Sequence, residues 1–476
     1  MQLLLKCQSL AWLSAAAPLG LGFLALSGST QGAAFFDGAD DAEGRAVMEQ
    51  ARQRIEAVRK AEVSLQILGP DGKPMAGSVE IQLRRHAFLF GAAASDTFAI
   101  KPGGKATPAA REMGLEVAAE LFNVATINCH WSGSQPTKDG AFNWRASDQL
   151  MEWAVSHGLS PRMHCLIYMN EGCSPKWRAE VKSTEEWWQL IDRRIAAVAE
   201  RYGKNYIEYD VLNETNFCPP WNRQNNPLFP DYDAPATGVR IFQIARKHLP
   251  QGKLLILDQF IPTSQPGNRN FERYMDYCRK LIAQGAPVDA IGYQGHFYTG
   301  KPSFQQGSAE AGPDAFRMKA LAQGLDRLAG LGRPVHITEF NPPSRNNKVK
   351  NPNQARLSEE EVAAWSVNFY TLAFSKPYIQ EITRWFLVDD VGGRGTDAGL
   401  VTLTGKKKPE YYALKKLLKE TWNTEWKGEP KDGTVSLRGF YGEYEIIAPG
   451  CKPAKFVLGK GGPKEISLSL KHSDGQ

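Results

Sequence analysis

From Phe88 onward, short apolar and β-branched runs alternate with longer segments in which apolar residues recur three or four positions apart. The runs are FLFGAA, FNVATINC, PRMHCLIY, YIEYDVLNE, KLLILDQF, DAIGYQGHF, PVHITEF and ITRWFLV. Between them, SDQLMEWAVSHG, EEWWQLIDRRIAAVAERYG and DAFRMKALAQGLDRLAGLG carry helical spacing, and a glycine closes each. Eight such alternations over about 330 residues predict an α/β fold, a (β/α)8 TIM barrel across residues 86–422. A doubly wound sheet is the alternative, but no glycine-rich phosphate fingerprint follows the first run.

The flanks follow other periods. Asp40 to Lys60 has the spacing of an amphipathic helix, and AEVSLQILGPDGKPMAGSVEIQLRR alternates apolar and polar residues about a Gly-Pro-Asp-Gly turn. That pattern predicts a β-hairpin, so residues 35–85 read as a helix and hairpin lead-in. Beyond YYALKKLLKETWN, the runs GTVSLRGFYGEYEIIAPG and AKFVLGKGGPKEISLSL predict short strands with glycine turns, a small β-module over 423–476. The opening MQLLLKCQSLAWLSAAAPLGLGFLALSGSTQGAAFF combines an early lysine, an apolar stretch and small residues through Ala33 and Ala34, the pattern of a signal peptide over 1–34. An uncleaved anchor is the competing reading, weakened by Pro18 and several glycines. The mature chain is therefore expected to be secreted or periplasmic and not membrane-attached.

Composition narrows the classes. A chain of 476 residues with 42% hydrophobic and 23% charged residues can bury a large core, which excludes disorder, collagen and a small disulfide scaffold. Of seven cysteines, Cys7 falls in the leader; Cys173 and Cys218, both in loop sequence, are candidates for one disulfide, with free buried thiols the alternative. No Cys-x-x-Cys or histidine-rich spacing suggests a zinc site, and no cofactor is expected. The net charge of +6 is spread out, and its densest run, Lys406 to Lys408, reads as a solvated loop before a helix rather than a nucleic-acid patch. The number of protomers is left open.

Two of the strand-like runs end in acids. YDVLNET closes on Asn213 and Glu214, and PVHITEF carries Glu339 near its end. In a barrel of this kind the carboxyl ends of the strands face a common mouth, so polar groups there meet substrate instead of core. Two opposed carboxylates suit glycoside hydrolysis, one protonating the leaving oxygen and the other attacking the anomeric carbon or activating water. The plain alternative for either glutamate is a structural ion pair. Other strand ends add Asn128 and His130, His164, Asp258 and Gln259, Gln294 and His296, and Trp385. Each histidine alone is an ordinary core group; amides, imidazoles and an aromatic at one mouth suit a sugar, whose hydroxyls need directional partners and whose faces need stacking. A metal-dependent hydrolase using His130, His164, His296 and Asp258 is a third reading, but it lacks an early His-x-His pair and leaves both glutamates unexplained.

These motifs together resemble glycoside hydrolase family 10, the family of retaining endo-β-1,4-xylanases, over about Phe88 to Leu418. The resemblance implies that Glu214 in YDVLNE is the acid/base and Asn213 binds the sugar 2-hydroxyl. It implies that Glu339 in HITEF is the nucleophile, and that Gln294 and His296 in DAIGYQGHF serve the cleaved bond and the nucleophile. RMHCLIY is similar to the family's Arg-Gly-His-x-Leu-x-Trp, which places His164 against the attacked sugar, and LVTLTGKKKPEYYAL matches the closing turn and helix. Departures fall in the glycone half. TINCHW stands where the family has Glu-Asn-x-Met-Lys-Trp, so His130 replaces a lysine and Asn128 takes the place of the amide. Tyr168 replaces a tryptophan, and a second tryptophan expected after Trp385 is missing from VDDVGGRG. The implied activity is cleavage of internal β-1,4 linkages of xylan through a covalent glycosyl-enzyme, with polysaccharide or oligosaccharide as the partner. Another β-linked or decorated glycan, or a glycan-binding barrel without turnover, are the alternatives.

Overall fold

The computed structural model describes residues 42–98, 105–215, 228–258, 260–263, 267–299, 316–345, 357–390 and 396–473. The expected leader, Cys218, Gln259 and most of the sequence after Asn341 up to Gln354 lie outside the described residues. Helix α1 (Ala42–Arg59) buries Met48, Ala51 and Ile55, the face its spacing predicts. Strands β1 (Lys60–Leu68) and β2 (Val79–His86) follow.

Eight parallel strands then close on themselves. They are β3 (Leu89–Ala93), β4 (Val124–Asn128), β5 (Ser160–His164), β6 (Glu208–Asn213), β7 (Lys253–Asp258), β8 (Ala290–Tyr293), β10 (Val335–Arg345) and β11 (Ile379–Arg384). Strand β11 pairs with both β10 and β3, which completes the barrel, and each predicted run supplies one strand. A short strand, β9 (His296–Thr299), lies beside the prolonged end of β10, so Glu339 sits within β10 rather than closing it.

The outer helices are α2 (Pro108–Leu121), α3 (Arg145–Ser156), α4 (Thr184–Tyr202), α5 (Pro235–His248), α6 (Arg269–Ala283), α7 (Met318–Ala329) and α8 (Glu359–Ser375). Thr107, Ser183, Asn268 and Ser358 each accept an N–H of the first turn, a contribution of about 1 kcal/mol per cap. Helix α9 (Pro409–Lys415) closes the barrel domain. The basic run before it is not a solvated loop: Lys408 is buried with its Nζ 3.2 Å from Asp389, and Lys407 Nζ lies 3.1 Å from Glu116. Charges that find partners across a fold cease to be surface.

The barrel interior holds an ionic layer. Arg162 Nε is 2.8 Å from Glu208 and its Nη2 2.5 Å from Asp210, while His336 Nδ1 is 2.8 Å from Glu381 and 3.3 Å from Glu208. All five are buried. Thr383 donates to Glu381, and Gly91 on β3 leaves room for that hydroxyl, since a Cβ there would lie 2.1 Å from Thr383 Oγ1.

The flanks correct the sequence reading. Strand β1 pairs with β13 (Thr434–Phe440) and β17 (Glu465–Ser469), whereas β2 lies between β12 (Glu425–Gly428) and β14 (Gly442–Ile447), with β16 (Ala454–Leu458) beyond. A smaller pair, β15 (Cys451–Lys452) and β18 (Lys471–His472), completes the set. The predicted turn forms, with Leu68 and Pro74 bridged antiparallel, but the hairpin goes no further: β1 and β2 enter different sheets, and Val63, Leu65 and Ile67 share one core with Val79, Ile81, Val435, Leu437, Tyr444, Ile446 and Phe456. Alternation with period two states which face is buried and not which strand lies alongside. Lead-in and tail are thus interleaved. No described helix is long and apolar enough to cross a membrane.

Candidate active site

Glu214 follows β6 directly, at φ 54°, a left-handed conformation uncommon for a residue with a side chain. Its N–H bonds Leu257 O at 3.0 Å, so the neighbouring strand holds the turn that aims it. Tyr168 Oη donates to Glu214 Oε2 at 2.6 Å and Gln294 Nε2 to Oε1 at 3.0 Å. Burial pushes this carboxyl above the ordinary range; the two donors oppose the rise, and the charge of Glu339 adds to it. The same Gln294 Nε2 is 3.2 Å from Asn213 Oδ1, and Gln294 O accepts the N–H of Glu339 at 2.8 Å. One residue between β8 and β9 therefore ties both glutamates and the asparagine together.

Glu339 is only 4% exposed, and His296 Nε2 lies 3.0 Å from its Oε2. Asn341 orients that imidazole: its Oδ1 accepts the Phe386 N–H at 3.1 Å, which turns its NH2 toward His296 Nδ1 at 2.9 Å. Nδ1 then accepts, and Nε2–H is left to donate to Glu339. Burial alone would raise the Glu339 carboxyl, but the His296 hydrogen bond and the charges of His164 and Arg162 outweigh it, and the net shift is downward. Two acids of one type are thereby pushed in opposite directions.

The remaining predicted residues form the adjoining wall. His164 Nδ1 is 2.8 Å from Asp210, and its ring lies edge-on to Trp385 at 5.3 Å and to His130 at 5.5 Å between centroids. Trp385 also meets His296 at 6.2 Å, and His130 meets Tyr168 at 6.2 Å. Asn128, opposite His164 in the β4–β5 register, donates its backbone N–H to Ser95 Oγ at 2.7 Å. Asn128 Oδ1, Gln294 Oε1, Glu339 Oε1 and Trp385 Nε1 are buried and make no hydrogen bond among the described residues. Buried polar atoms are ordinarily paired, so such atoms at the ends of several barrel strands mark a mouth built to receive a polar ligand. Asp258 ends β7 and is buried.

Asp210, Arg162 and Asn341 escaped the sequence reading. Glu208 and Asp210 stand at alternate positions of an otherwise apolar strand, which signals inward-facing acids, and Asn341 follows Glu339 by two. The metal-ligand set of the third reading does not assemble as proposed, because His296 is engaged by Glu339 and Asn341. Among the described residues the groups spaced for a cation are His130, His164 and Cys165, and Glu208, His336 and Glu381, the second already ion-paired internally and to Arg162.

The family model of glycosyl hydrolase family 10 matches residues 89–417. The chain is 25% identical over 426 residues to the anti-sigma-I factor RsgI6 of Acetivibrio thermocellus, covering 86% of this chain and 48% of that protein. It is 23% identical over 439 residues to endo-1,4-beta-xylanase 2 of Arabidopsis thaliana, covering 90% of this chain and 36% of that one. The chain thus spans less than half the length of either relative. Among solved structures it is similar to xylanase 10B of Thermotoga petrophila, in complex with xylobiose, with TM-score 0.54, 20% identity, and 70% of this chain and 95% of that one covered. At that identity the likeness shows the barrel fold.

Proposed function

The chain belongs to glycosyl hydrolase family 10, and from that premise we propose that it is a retaining glycoside hydrolase cleaving internal β-1,4 linkages of xylan or a related plant polysaccharide. The observation that carries the reading is the pair of unlike acids, Glu214 raised and Glu339 lowered, joined through Gln294. A general acid must hold its proton until the leaving oxygen takes it, while a nucleophile must be ionised beforehand.

In the first step Glu339 Oε1, which makes no hydrogen bond among the described residues, attacks the anomeric carbon. The glycosidic carbon–oxygen bond breaks, and the leaving oxygen receives the proton of Glu214. In the second, Glu214, now a carboxylate, takes a proton from water as the water oxygen bonds the anomeric carbon and the ester to Glu339 breaks. His296 holds Oε2, the carboxylate oxygen that does not attack, in place. Asn213, the neighbour of the acid, bonds the sugar 2-hydroxyl more strongly as oxocarbenium character develops. His164, Trp385, His130 and Tyr168 form the wall for the glycone sugar, with His130 and Tyr168 narrowing which sugars fit. The leader pattern over 1–34 supports export to the periplasm or beyond.

The test is a hydrolysis panel of xylan, arabinoxylan, mixed-linkage glucan and aryl β-glycosides, with product sizes resolved and the first-formed anomer read by proton NMR. New reducing ends from xylan with β-configured product are expected. An α-configured first product would sink the double displacement, and binding of xylan without new reducing ends would leave a glycan-binding barrel.

A further inference from the structure

Next to the two acids, the glycone wall contains a donor set that neither acid–base step uses. One ligand atom each from His130, His164 and Cys165 lies within 4.8 Å of the others. Cys173 Sγ lies beside this set, 3.4 Å from His130 Nδ1. The three come from the ends of β4 and β5, strands already paired side by side, so the barrel sets their spacing. A tetrahedral zinc-like ion, bound at 2.0–2.3 Å, holds its ligand atoms about 3.3 to 3.8 Å apart. The present spacing needs only a small contraction, and His130 is half-buried on the cleft side.

The surroundings favour this chemistry. His164 points Nδ1 at Asp210 at 2.8 Å, which leaves Nε2 for the cleft. A carboxylate behind an imidazole is the arrangement that orients metal-binding histidines and raises their basicity. Arg162 in turn holds Asp210, so the orientation is rigid. Imidazole with thiol sulfur selects borderline-soft divalent ions such as Zn2+ over Mg2+ or Ca2+.

We propose that His130, His164 and Cys165, with Cys173 alongside, form a binding site for a thiophilic divalent cation that closes the glycone end of the cleft. On binding, the cation forms metal–nitrogen and metal–sulfur bonds, and Cys165 releases its thiol proton and His164 its imidazolium proton to solvent. The bound cation covers the face of His164 that a sugar would meet, so it acts as a reversible inhibitor. That last consequence rests on the glycosidase reading, whereas the binding itself does not.

Co2+ titrated into the reduced full chain is the probe. One Co2+ per chain is expected, with a thiolate-to-cobalt charge-transfer band in the near ultraviolet that Zn2+ abolishes by displacement. His130→Ala should weaken binding at least tenfold, and Cys165→Ser should remove the charge-transfer band. Circular dichroism reports whether the buried Cys165 variant folds; if it does not, His130→Ala and the wild-type band carry the test. No sulfur charge-transfer band in the wild type, or Co2+ affinity unchanged by His130→Ala, overturns the site. Zn2+ should also suppress hydrolysis and chelation restore it; a band without any hydrolysis would leave the cation site standing and remove the glycosidase reading instead.

Discussion

Strand β6 carries acids of two kinds within seven residues. Glu208 and Asp210 point into the barrel, fully buried, and lie 2.8 and 2.5 Å from the Arg162 guanidinium. Glu214, just past the strand's end, is held by a phenol and an amide at the mouth. Strand β10 repeats the division, with His336 in the ionic layer and Glu339 above it. In the lower layer each charge meets an opposite charge, which offsets the large cost of removing it from water. At the mouth the donors bias each acid's proton affinity, and Glu339 Oε1 has no hydrogen-bond partner among the described residues. Depth along one strand, more than residue type, separates an acid that holds the barrel from one that can act on a ligand.

The largest effects should come from the mouth. Glu214→Gln is expected to lower turnover of native xylan by about 10²–10⁴-fold, with Glu339→Ala at least as damaging. Both proteins should unfold within a few degrees of the parent. Initial rates with thermal melts check this, and a variant working at the parental rate would erase the distinction between the layers.

Arg162→Met attacks the other layer. It removes the guanidinium shared by Glu208 and Asp210, leaving His336 and His164 beside these buried acids, and should cost about 3–5 kcal/mol of stability in urea unfolding. A loss near zero would mean that the layer contributes little to holding the barrel.

A pH series sharpens the contrast. Burial opposes a charge on His336, but Glu208 and Glu381 outweigh it and raise the imidazole from 6.5 to about 9. The folded state then binds the proton more tightly, so this contribution is complete below pH 6.5 and is lost as pH rises through about 9. Glu381 is raised to about 7 by burial and by Glu208, which also makes stability fall with rising pH, from about its ordinary 4.5 upward. Glu208 has the opposite sign: its carboxyl is held well below 4.5, so its contribution is present above that value and lost in acid. His336→Asn should therefore flatten the decline between pH 6.5 and 9 in denaturant titrations at fixed salt.

The smallest change is expected from Tyr168→Phe. Its hydroxyl counteracts the burial-driven rise of the Glu214 carboxyl. Without it the carboxyl rises further, so the alkaline limb of the kcat/KM profile should move to higher pH, with the optimum falling less than about tenfold. The acid limb, which follows Glu339, should stay where it is.

Much of the barrel was legible because a buried parallel strand and an amphipathic helix each leave a local period, and eight runs map one to one onto eight strands. The strand-end positions of the candidate residues were legible for a related reason: polar groups at the carboxyl ends of such strands have no core to satisfy and face the mouth. The hairpin was not. GPDG between β1 and β2 does turn the chain, yet the strands' pairing partners are set by distant strands β12, β13, β14 and β17, and local alternation is silent about them. Lys408 and the layer around Arg162 escaped for the same reason, since an ion pair is invisible until its partner arrives.

The sequence by itself determined that strands and helices alternate, that Glu214 and Glu339 end up at one mouth, and that the family's motifs stand in order, because each is encoded in local periodicity and spacing. Only the tertiary structure decided that the proton affinity of Glu214 is raised while that of Glu339 is lowered, that Asn341 aims His296, and that His130, His164 and Cys165 converge. Proton affinity and ligand geometry depend on distances of a few ångströms between residues far apart in the chain, and those distances exist only once the barrel has closed.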